Sequence, residues 1–555
     1  MQNQPAADQS PVSFIHELLA RLDINIEHSS AAKAEAAAWH GKSGFNDPDL
    51  TDWTALPFVT IDNADSLDLD QALLITNTES GYRIRYALAD AAFYIRPGST
   101  IFEEALVRGT TFYTPLLSAP MLPRSLSEGL LSLNPNVDRR ALVFDMYLDA
   151  YANIQKTIIV RALVHSQAKL CYTGVQAFLN SENTALDNQP FSESLRLLQS
   201  VGNKLIAKGL ERGVAPFDRT ETQITVTSDP AAGEHFIVQV RERLDTERYN
   251  EQLSLLCNME GAALLQALKA HDIGLQPVFR THPAPLKEQR RQLEETLKEL
   301  VEAKQLEEMW LLNPGQTLAD YFSKLPRSPA HRQLLRAIQR QILQSQRASI
   351  FQAKPDRHHA LAAASYARFS SPMREVAGIY THKELLDALG VAGMETYTSD
   401  ILTTGVTHYP KVLSIDEDAS RLQLAVIDSA NRARQLQKQI EKAIEFTVIS
   451  RLLHRDLQQS PRPFRSGALM GIRKDKLYIG IDDLALDIKV YRVDLEAHYG
   501  CEYEFGNALI TPVSVQTGTA DAPKAPTLAL GDAVTLVTNR WNAERQRFIM
   551  DIHKR

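Results

Sequence analysis

Cysteine is scarce in this chain: Cys171, Cys257 and Cys501 are the only three among 555 residues. Three scattered thiols exclude a disulfide framework and a structural zinc site, and they suit a reducing compartment. Long apolar runs are missing as well. No segment approaches the roughly 20 uninterrupted apolar residues of a membrane span. The opening MQNQPAADQSPVSF has no basic stretch followed by an apolar one, so no export signal is read there and the cytoplasm is the expected compartment. Positive charge is not in excess either. With 60 Lys and Arg against 67 Asp and Glu, the net charge is −7, so any contact with nucleic acid requires a local basic groove. No heptad run or basic tail points to a protein partner, and a monomer is expected.

What the chain does contain is the balance of a globular protein, 44% hydrophobic and 23% charged. Its length implies about three to five units of ordinary domain size. Residues 1–55 read as a short polar and helical lead-in, with Phe14, Leu18, Leu19 and Leu22 on one helical face and a breaker stretch from Asn46 to Asp52. Residues 56–460 read as a mixed α+β unit. It opens with strand and hairpin patterns, including the alternating Tyr82, Ile84, Tyr86 and Leu88 after the turn at Glu79, Ser80 and Gly81. Helical periodicity then takes over in Ser192 to Leu210, Glu247 to Ala270, Leu286 to Leu311 and Pro329 to Phe351, and these helices are expected to pack on the sheet. A long helix from about Ser429 to His454, capped by Asp428 or Ser429, closes the unit, and Pro461 and Pro463 mark a linker. Residues 461–555 hold five or six short strands, among them GALMGI, KLYIGI and DIKVYRV, which suit a small closed β-barrel of the OB type.

The densest chemistry lies in TIDNADSLDLDQALL, from Thr60 to Leu74, where Asp62, Asp68 and Asp70 follow an apolar strand within nine residues. Read alone, the loop fits either a solvated turn or a site for a hard divalent cation such as Mg²⁺. The spacing argues against an EF-hand, since the central Gly, the alternating ligands and the terminal Glu are all missing.

Four more segments join it in order: ALADAAFYI from Ala87, GTTFYTP with PMLPRSLSEGLLSLNPNVDRRAL from Gly109 to Leu142, FRTHPAP from Phe279, and HHALAAASYARFSSPMRE from His358. Together with the acidic loop they resemble the catalytic (RNB) domain of the ribonuclease II and ribonuclease R exoribonucleases, across roughly residues 15 to 460. The carboxy-terminal barrel resembles that family's OB-type RNA-binding module in position and texture. The resemblance implies an α+β RNB-type catalytic domain followed by a small OB-type β-barrel. It also implies a Mg²⁺-dependent enzyme that works processively on single-stranded RNA from the 3′ end and releases nucleoside 5′-monophosphates.

Residue by residue, the resemblance assigns Asp62 and Asp68 as metal ligands and Asp70 as the acid most needed for catalysis, itself also near the metal. Arg374 matches the arginine that meets the scissile phosphate. Tyr113 and Phe217 match aromatics that clamp the terminal bases, Tyr172 matches another RNA-contacting aromatic, and Glu251 an acid near the RNA. His282 and His358 are read as structural, because Mg²⁺ prefers oxygen ligands.

The chain departs from the family pattern in two places. Gln71 stands where the family has a fourth Asp, and its amide oxygen holds a divalent ion less firmly than a carboxylate. After Arg374, the residues Glu375, Val376 and Gly378 replace an Arg, a Tyr and an Asp. These departures carry the competing expectation, a catalytically impaired RNA-binding or regulatory protein. The 55 leading residues leave no room for the cold-shock barrels of longer members, so RNA capture and duplex unwinding are expected to be weaker.

Overall fold

Two capped helices lead into the first sheet: α1 (Pro11–Arg21), whose N-cap Ser10 accepts a hydrogen bond from the Ser13 N–H, and α2 (Ser30–Trp39), capped in the same way by Ser29. The computed structural model describes residues 9–217, 220–229, 233–270, 274–391, 397–398, 417–515 and 525–555. Strand β1 (Thr51–Asp62) begins inside the segment read as lead-in, and β2 (Gln71–Thr78), β3 (Gly81–Ala89), β4 (Asp138–Asp149) and β5 (Ile154–Cys171) follow it. Each pairs antiparallel with the next. β5 then returns to pair in parallel with β1, Asp62 opposite Cys171, so the five strands close into a ring.

The period-2 alternation of these strands separates two cores. One face carries Ala72, Leu74, Ala87, Ala141, Val143, Ala162 and Val164, small side chains that fill the interior of a narrow ring. The other carries Val59, Leu73, Ile75, Tyr86 and Phe144 and is covered by α5 (Ser192–Arg212) and α6 (Asp245–Lys269). Two further helices, α3 (Thr100–Arg108) and α4 (Tyr172–Leu179), follow β3 and β5. A hairpin of β6 (Thr220–Asp229) and β7 (Gly233–Glu242) packs Ile224, Val226, Phe236 and Val238 beside α1. Residues β8 (Phe279–Thr281) and β9 (Ile350–Gln352) form a short antiparallel pair.

The second set of helices corrects an expectation. α7 (Lys287–Lys304), α8 (Leu318–Lys324) and α9 (Arg332–Ser345) do not pack on the ring. Their Leu297, Leu300, Tyr321, Phe322, Leu334 and Ile338 share one core with the carboxy-terminal strands, including Leu469, Leu477, Ile479, Ile510 and Leu528. The ring face is already filled by α5 and α6, whereas the barrel leaves an apolar surface to cover. Periodicity shows that a helix has an apolar face but not which surface will bury it. Polar contacts fix the joint: the Glu299 carboxylate of α7 accepts the Asn507 and Leu509 N–H groups at 2.9 and 3.0 Å.

After α10 (Val376–Val391), the long helix α11 runs from Glu417 to Gln458, well ahead of the expected start at Ser429. Asp428 and Ser429 are therefore interior residues rather than caps. Ser429 is buried and donates its hydroxyl to the Leu106 carbonyl, while Asn431 brackets Phe351 by accepting its N–H and donating to its carbonyl, both at 2.9 Å.

The carboxy-terminal module contains β10 (Arg465–Arg473), β11 (Lys476–Ile481), β12 (Asp487–Tyr491), helix α12 (Arg492–Tyr499), β13 (Cys501–Phe505), β14 (Leu509–Val515), β15 (Leu528–Ala529), β16 (Ala533–Asn542) and β17 (Arg547–Lys554). One sheet has the order β12-β11-β10-β16-β17 and the other β13-β14-β15. Edge strands β12 and β17 touch, so the larger sheet rolls into the OB-type barrel. The sequence reading missed α12, which continues directly from DIKVY, and the short strand β13, where Cys501 and Tyr503 point inward between exposed glutamates. Among the described residues, no helix is long and apolar enough to cross a membrane.

Candidate active site

The acidic loop joins the end of β1 to the start of β2, and its backbone is held by the segment that precedes β4. Ser132 accepts the Leu69 N–H at 3.0 Å and donates to the Leu67 carbonyl at 2.8 Å, and the Leu133 N–H bonds the Leu69 carbonyl at 3.0 Å. The Ala89 N–H takes the Asp70 carbonyl at 2.9 Å. With the backbone at Leu67, Leu69 and Asp70 anchored, Asp68 and Asp70 are set by the scaffold rather than by solvent.

Asp70 is 1% exposed, and both its oxygens are engaged. Oδ1 accepts the Met373 N–H at 2.9 Å and Oδ2 accepts Nε–H of Arg374. Two motifs some 300 residues apart thus meet in one charge-assisted contact. Burial pushes the Asp70 carboxyl up to about 6 against the pull of Arg374, while the surrounding carboxylates hold the Arg374 guanidinium charged despite its depth. Arg374 still keeps 31% of its side-chain surface open to solvent, so it lines a deep recess rather than the core.

Asp68 stands beside this pair. Burial raises its carboxyl, the nearby Arg374 lowers it, and the Asp62 and Glu128 charges raise it further. Asp62 closes β1, where its Oδ1 accepts the Asn63 N–H and the Ser66 hydroxyl at 2.7 and 2.9 Å. Gln71 is buried at the first position of β2, opposite Leu88. Among the described residues, no group of three or more His, Cys, Asp or Glu side chains converges to hold a metal ion. The fit to Mg²⁺ is therefore to two hard carboxylates, Asp62 and Asp68, which repel each other. Mg²⁺ is commonly held by one or two carboxylates, water and substrate phosphate, so this donor set suits it.

Tyr113 lies half-exposed over the same recess, its hydroxyl facing Arg374, and burial of that hydroxyl raises it. The Tyr113 backbone is clamped by Gln437 of α11, whose Oε1 accepts its N–H at 3.1 Å and whose Nε2 donates to its carbonyl at 3.2 Å. Tyr172, at the start of α4, accepts Asn250 Nδ2 at 3.1 Å; burial and the Asp62 charge push its phenol up to about 12. Phe217 and Glu251 lie elsewhere, in a cleft of about 680 Å³ between α5 and α6. There Phe217 packs edge-on against Phe322 at 5.1 Å, and Glu251 pairs with Arg243 at 3.1 Å.

The Arg374 loop rests on a residue that the sequence reading did not single out. Asn258 of α6 is fully buried and uses all four of its hydrogen-bonding positions. Its Nδ2 donates to the Tyr366 and Ser370 hydroxyls, both at 2.9 Å, and its Oδ1 accepts the Phe369 and Ser370 N–H groups at 2.7 and 3.0 Å. The available signal was a lone amide in the largely apolar stretch SLLCNMEGAALL. Beyond the loop, the Arg374 carbonyl accepts the Thr111 N–H and the Thr110 hydroxyl, both at 2.9 Å. Gly109, at φ 75°, lets the same segment lie close against α11, because a Cβ there would lie 2.8 Å from the Ser429 carbonyl oxygen.

The two expected structural histidines are spent on backbone groups or buried neutral. His282 Nε2–H donates to the Arg347 carbonyl at 2.6 Å and Nδ1 accepts the Ala360 N–H at 3.0 Å; burial holds His358 down to about 3.

The RNB domain family model matches residues 50–390. A ribonuclease R of Vibrio parahaemolyticus is 30% identical over 336 residues, covering 60% of this chain and 38% of that protein. The ribonuclease R of Escherichia coli is 26% identical over 498 residues, covering 89% and 56%. The chain thus spans about half the length of the curated relatives it matches. Among solved structures, Mycoplasma genitalium RNase R in complex with ribose-methylated single-stranded RNA superposes with a TM-score of 0.79 at 20% identity, covering 98% of this chain and 78% of that one.

Proposed function

From membership of the RNB domain family, to which the chain belongs, we propose a Mg²⁺-dependent hydrolytic 3′-to-5′ exoribonuclease that acts as a cytoplasmic monomer on single-stranded RNA and releases nucleoside 5′-monophosphates. The observation that carries this reading is the meeting of Asp70, Asp68 and Arg374 beside the Tyr113 hydroxyl in a solvent-open recess. A bound Mg²⁺ supplies Lewis-acid polarisation of a phosphoryl oxygen and lowers the pKa of its water. Asp62 and Asp68 are the residues that would hold it, and Gln71 borders them in sequence.

Only Nε of Arg374 is bonded to Asp70, so the Nη pair is the part suited to phosphate oxygens as charge builds on the phosphorane. Asp70 fixes the direction of that fork. Tyr113 and Tyr172 offer ring faces that accept any base, as a sequence-tolerant nuclease needs. The cleft with Phe217 and Glu251 is lined by Arg212, Arg243, Arg248 and Arg327 against two glutamates, a balance suited to the backbone of upstream nucleotides.

A second reading, a catalytically impaired RNA-binding protein, draws on Gln71 and on the full commitment of Asp70 to protein donors. End-labelled single-stranded RNA incubated with Mg²⁺ separates the two. Monophosphate release by the native chain and not by Asp70→Asn supports hydrolysis, whereas binding without degradation by both supports the second reading.

A further inference from the structure

On the other side of residue 374, three more arginines gather around a single acid. Arg368, in the loop before Arg374, grips Glu375 through Nε and Nη2 at 3.0 and 2.8 Å and donates Nη1 to the Tyr366 hydroxyl at 3.3 Å. Arg280 of β8 is tied to the same loop, its backbone N–H donating to the Tyr366 carbonyl at 2.8 Å, and the Glu375 charge acts on both Arg280 and Arg434 of α11. Arg434 donates to the Ser349 carbonyl. Burial, followed by repulsion from Arg280, brings Arg434 down to about 10, and burial, followed by repulsion from Arg368, lowers Arg280. Three guanidiniums against one carboxylate leave a local charge of about +2, which is costly to hold at depth.

Two independent features indicate that an anion belongs there. Arg280 Nε–H is a buried donor without a hydrogen-bond partner, and Nδ1 of His358, a residue 7% exposed, is also unpartnered and is a donor in one of the two tautomers of its neutral ring. The two residues are neighbours: the His358 ring lies 5.4 Å from that of Tyr366, whose carbonyl accepts the Arg280 backbone N–H at 2.8 Å. A buried donor without an acceptor calls for an explanation such as a bound ion. The recess is also open: Arg368 and Glu375 keep 24% and 23% of their side-chain surface in solvent.

We propose that Arg280, Arg368 and Arg434 form an anion subsite beside Arg374 that takes the dianionic phosphate of a nucleoside 5′-monophosphate. A monoester carries about −1.5 to −2 at neutral pH, which matches the local charge better than the single charge of a diester in the chain. Planar forks suit its oxygens. The nature of the ligand rests on the exoribonuclease reading, but the anion site itself does not.

The test is calorimetric titration of the full chain, with EDTA present, by adenosine 5′-monophosphate, inorganic phosphate and adenosine. Binding of the two phosphates, with adenosine at least about tenfold weaker, is expected. Arg434→Gln should weaken the monophosphate about tenfold, and Arg434→Lys, which keeps the charge, by about threefold or less. Glu375→Gln keeps a hydrogen-bond acceptor for Arg368 but removes the competing charge, so affinity should rise severalfold. A salt bridge with a purely structural role predicts the opposite sign. No phosphate binding by the native chain, an affinity indifferent to Arg434→Gln, or weaker binding in Glu375→Gln overturns the proposal. Phosphate binding with these variant effects in a chain that fails to degrade RNA would overturn the nuclease reading and leave the subsite standing.

Discussion

Asn258→Ala tests whether the Arg374 loop is held by the scaffold beneath it. The native amide accepts two buried N–H groups, from Phe369 and Ser370, and donates to two hydroxyls. The hydroxyls can turn toward other acceptors, but the two amides cannot. Leaving a buried donor unpaired costs about 1–3 kcal/mol, so two cost about 3–4 kcal/mol once partial relaxation is allowed. Global unfolding of a chain with several cores is unsuited to read this, because a single two-state transition is not expected. Hydrogen exchange at Phe369 and Ser370 reads it locally. A loss of about 3 kcal/mol corresponds to a fall in protection of roughly a hundredfold at these amides. The same substitution should lower RNA hydrolysis by displacing Arg374 while α5 and β4 stay protected. Unchanged protection at both amides would refute the claim that Asn258 positions the loop.

Arg374→Lys keeps the charge and loses the fork and the Nε–H bond to Asp70, so kcat should fall by about a hundredfold or more with KM little changed; retained kcat would count against a transition-state role. Burial raises the Asp70 carboxyl from 3.8 to about 6, so the folded state binds this proton more tightly than the unfolded chain does. Its contribution to stability is complete below the unfolded value and is lost as pH rises through about 6. Over that window the ionised partner of Arg374 is formed, so the hydrolysis rate should climb through about pH 6, and a rate flat from about pH 5 to 7 would contradict this. Gln71→Asp adds a carboxylate next to Asp70 and should lower the Mg²⁺ concentration for half-maximal activity by about threefold to tenfold; an unchanged metal requirement would place position 71 away from the ion.

The first hairpin of the ring was legible because Tyr82 to Leu88 alternate strictly and the turn at Gly81 leaves little choice of register, whereas β4, β5 and the parallel closure of β5 on β1 were not read, since that pairing joins residues about a hundred positions apart. The juxtaposition of Asp70 with Arg374 was legible only through resemblance, since no local pattern relates residues 304 positions apart. The partner of α7 to α9 was not legible, because Leu297 and Ile338 look the same whether they face a ring or a barrel. Helix α11 began earlier than expected because Ser429, a good cap residue in sequence, is instead buried against Leu106 by tertiary packing that outweighs local preference. Phe217 and Tyr113 read alike as aromatics. Tyr113 reaches the acids only because Gln437 pins its backbone, whereas Phe217 is drawn to Phe322.

The central question is whether the recess between Asp62, Asp68, Asp70 and Arg374 hydrolyses RNA. Single-stranded RNA labelled at its 5′ end, incubated with the full chain and Mg²⁺, gives the most direct answer. Stepwise shortening from the 3′ end is expected, with nucleoside 5′-monophosphate released, abolished by EDTA and by Asp70→Asn. RNA that is bound but stays at full length with the native chain and Mg²⁺ would contradict it.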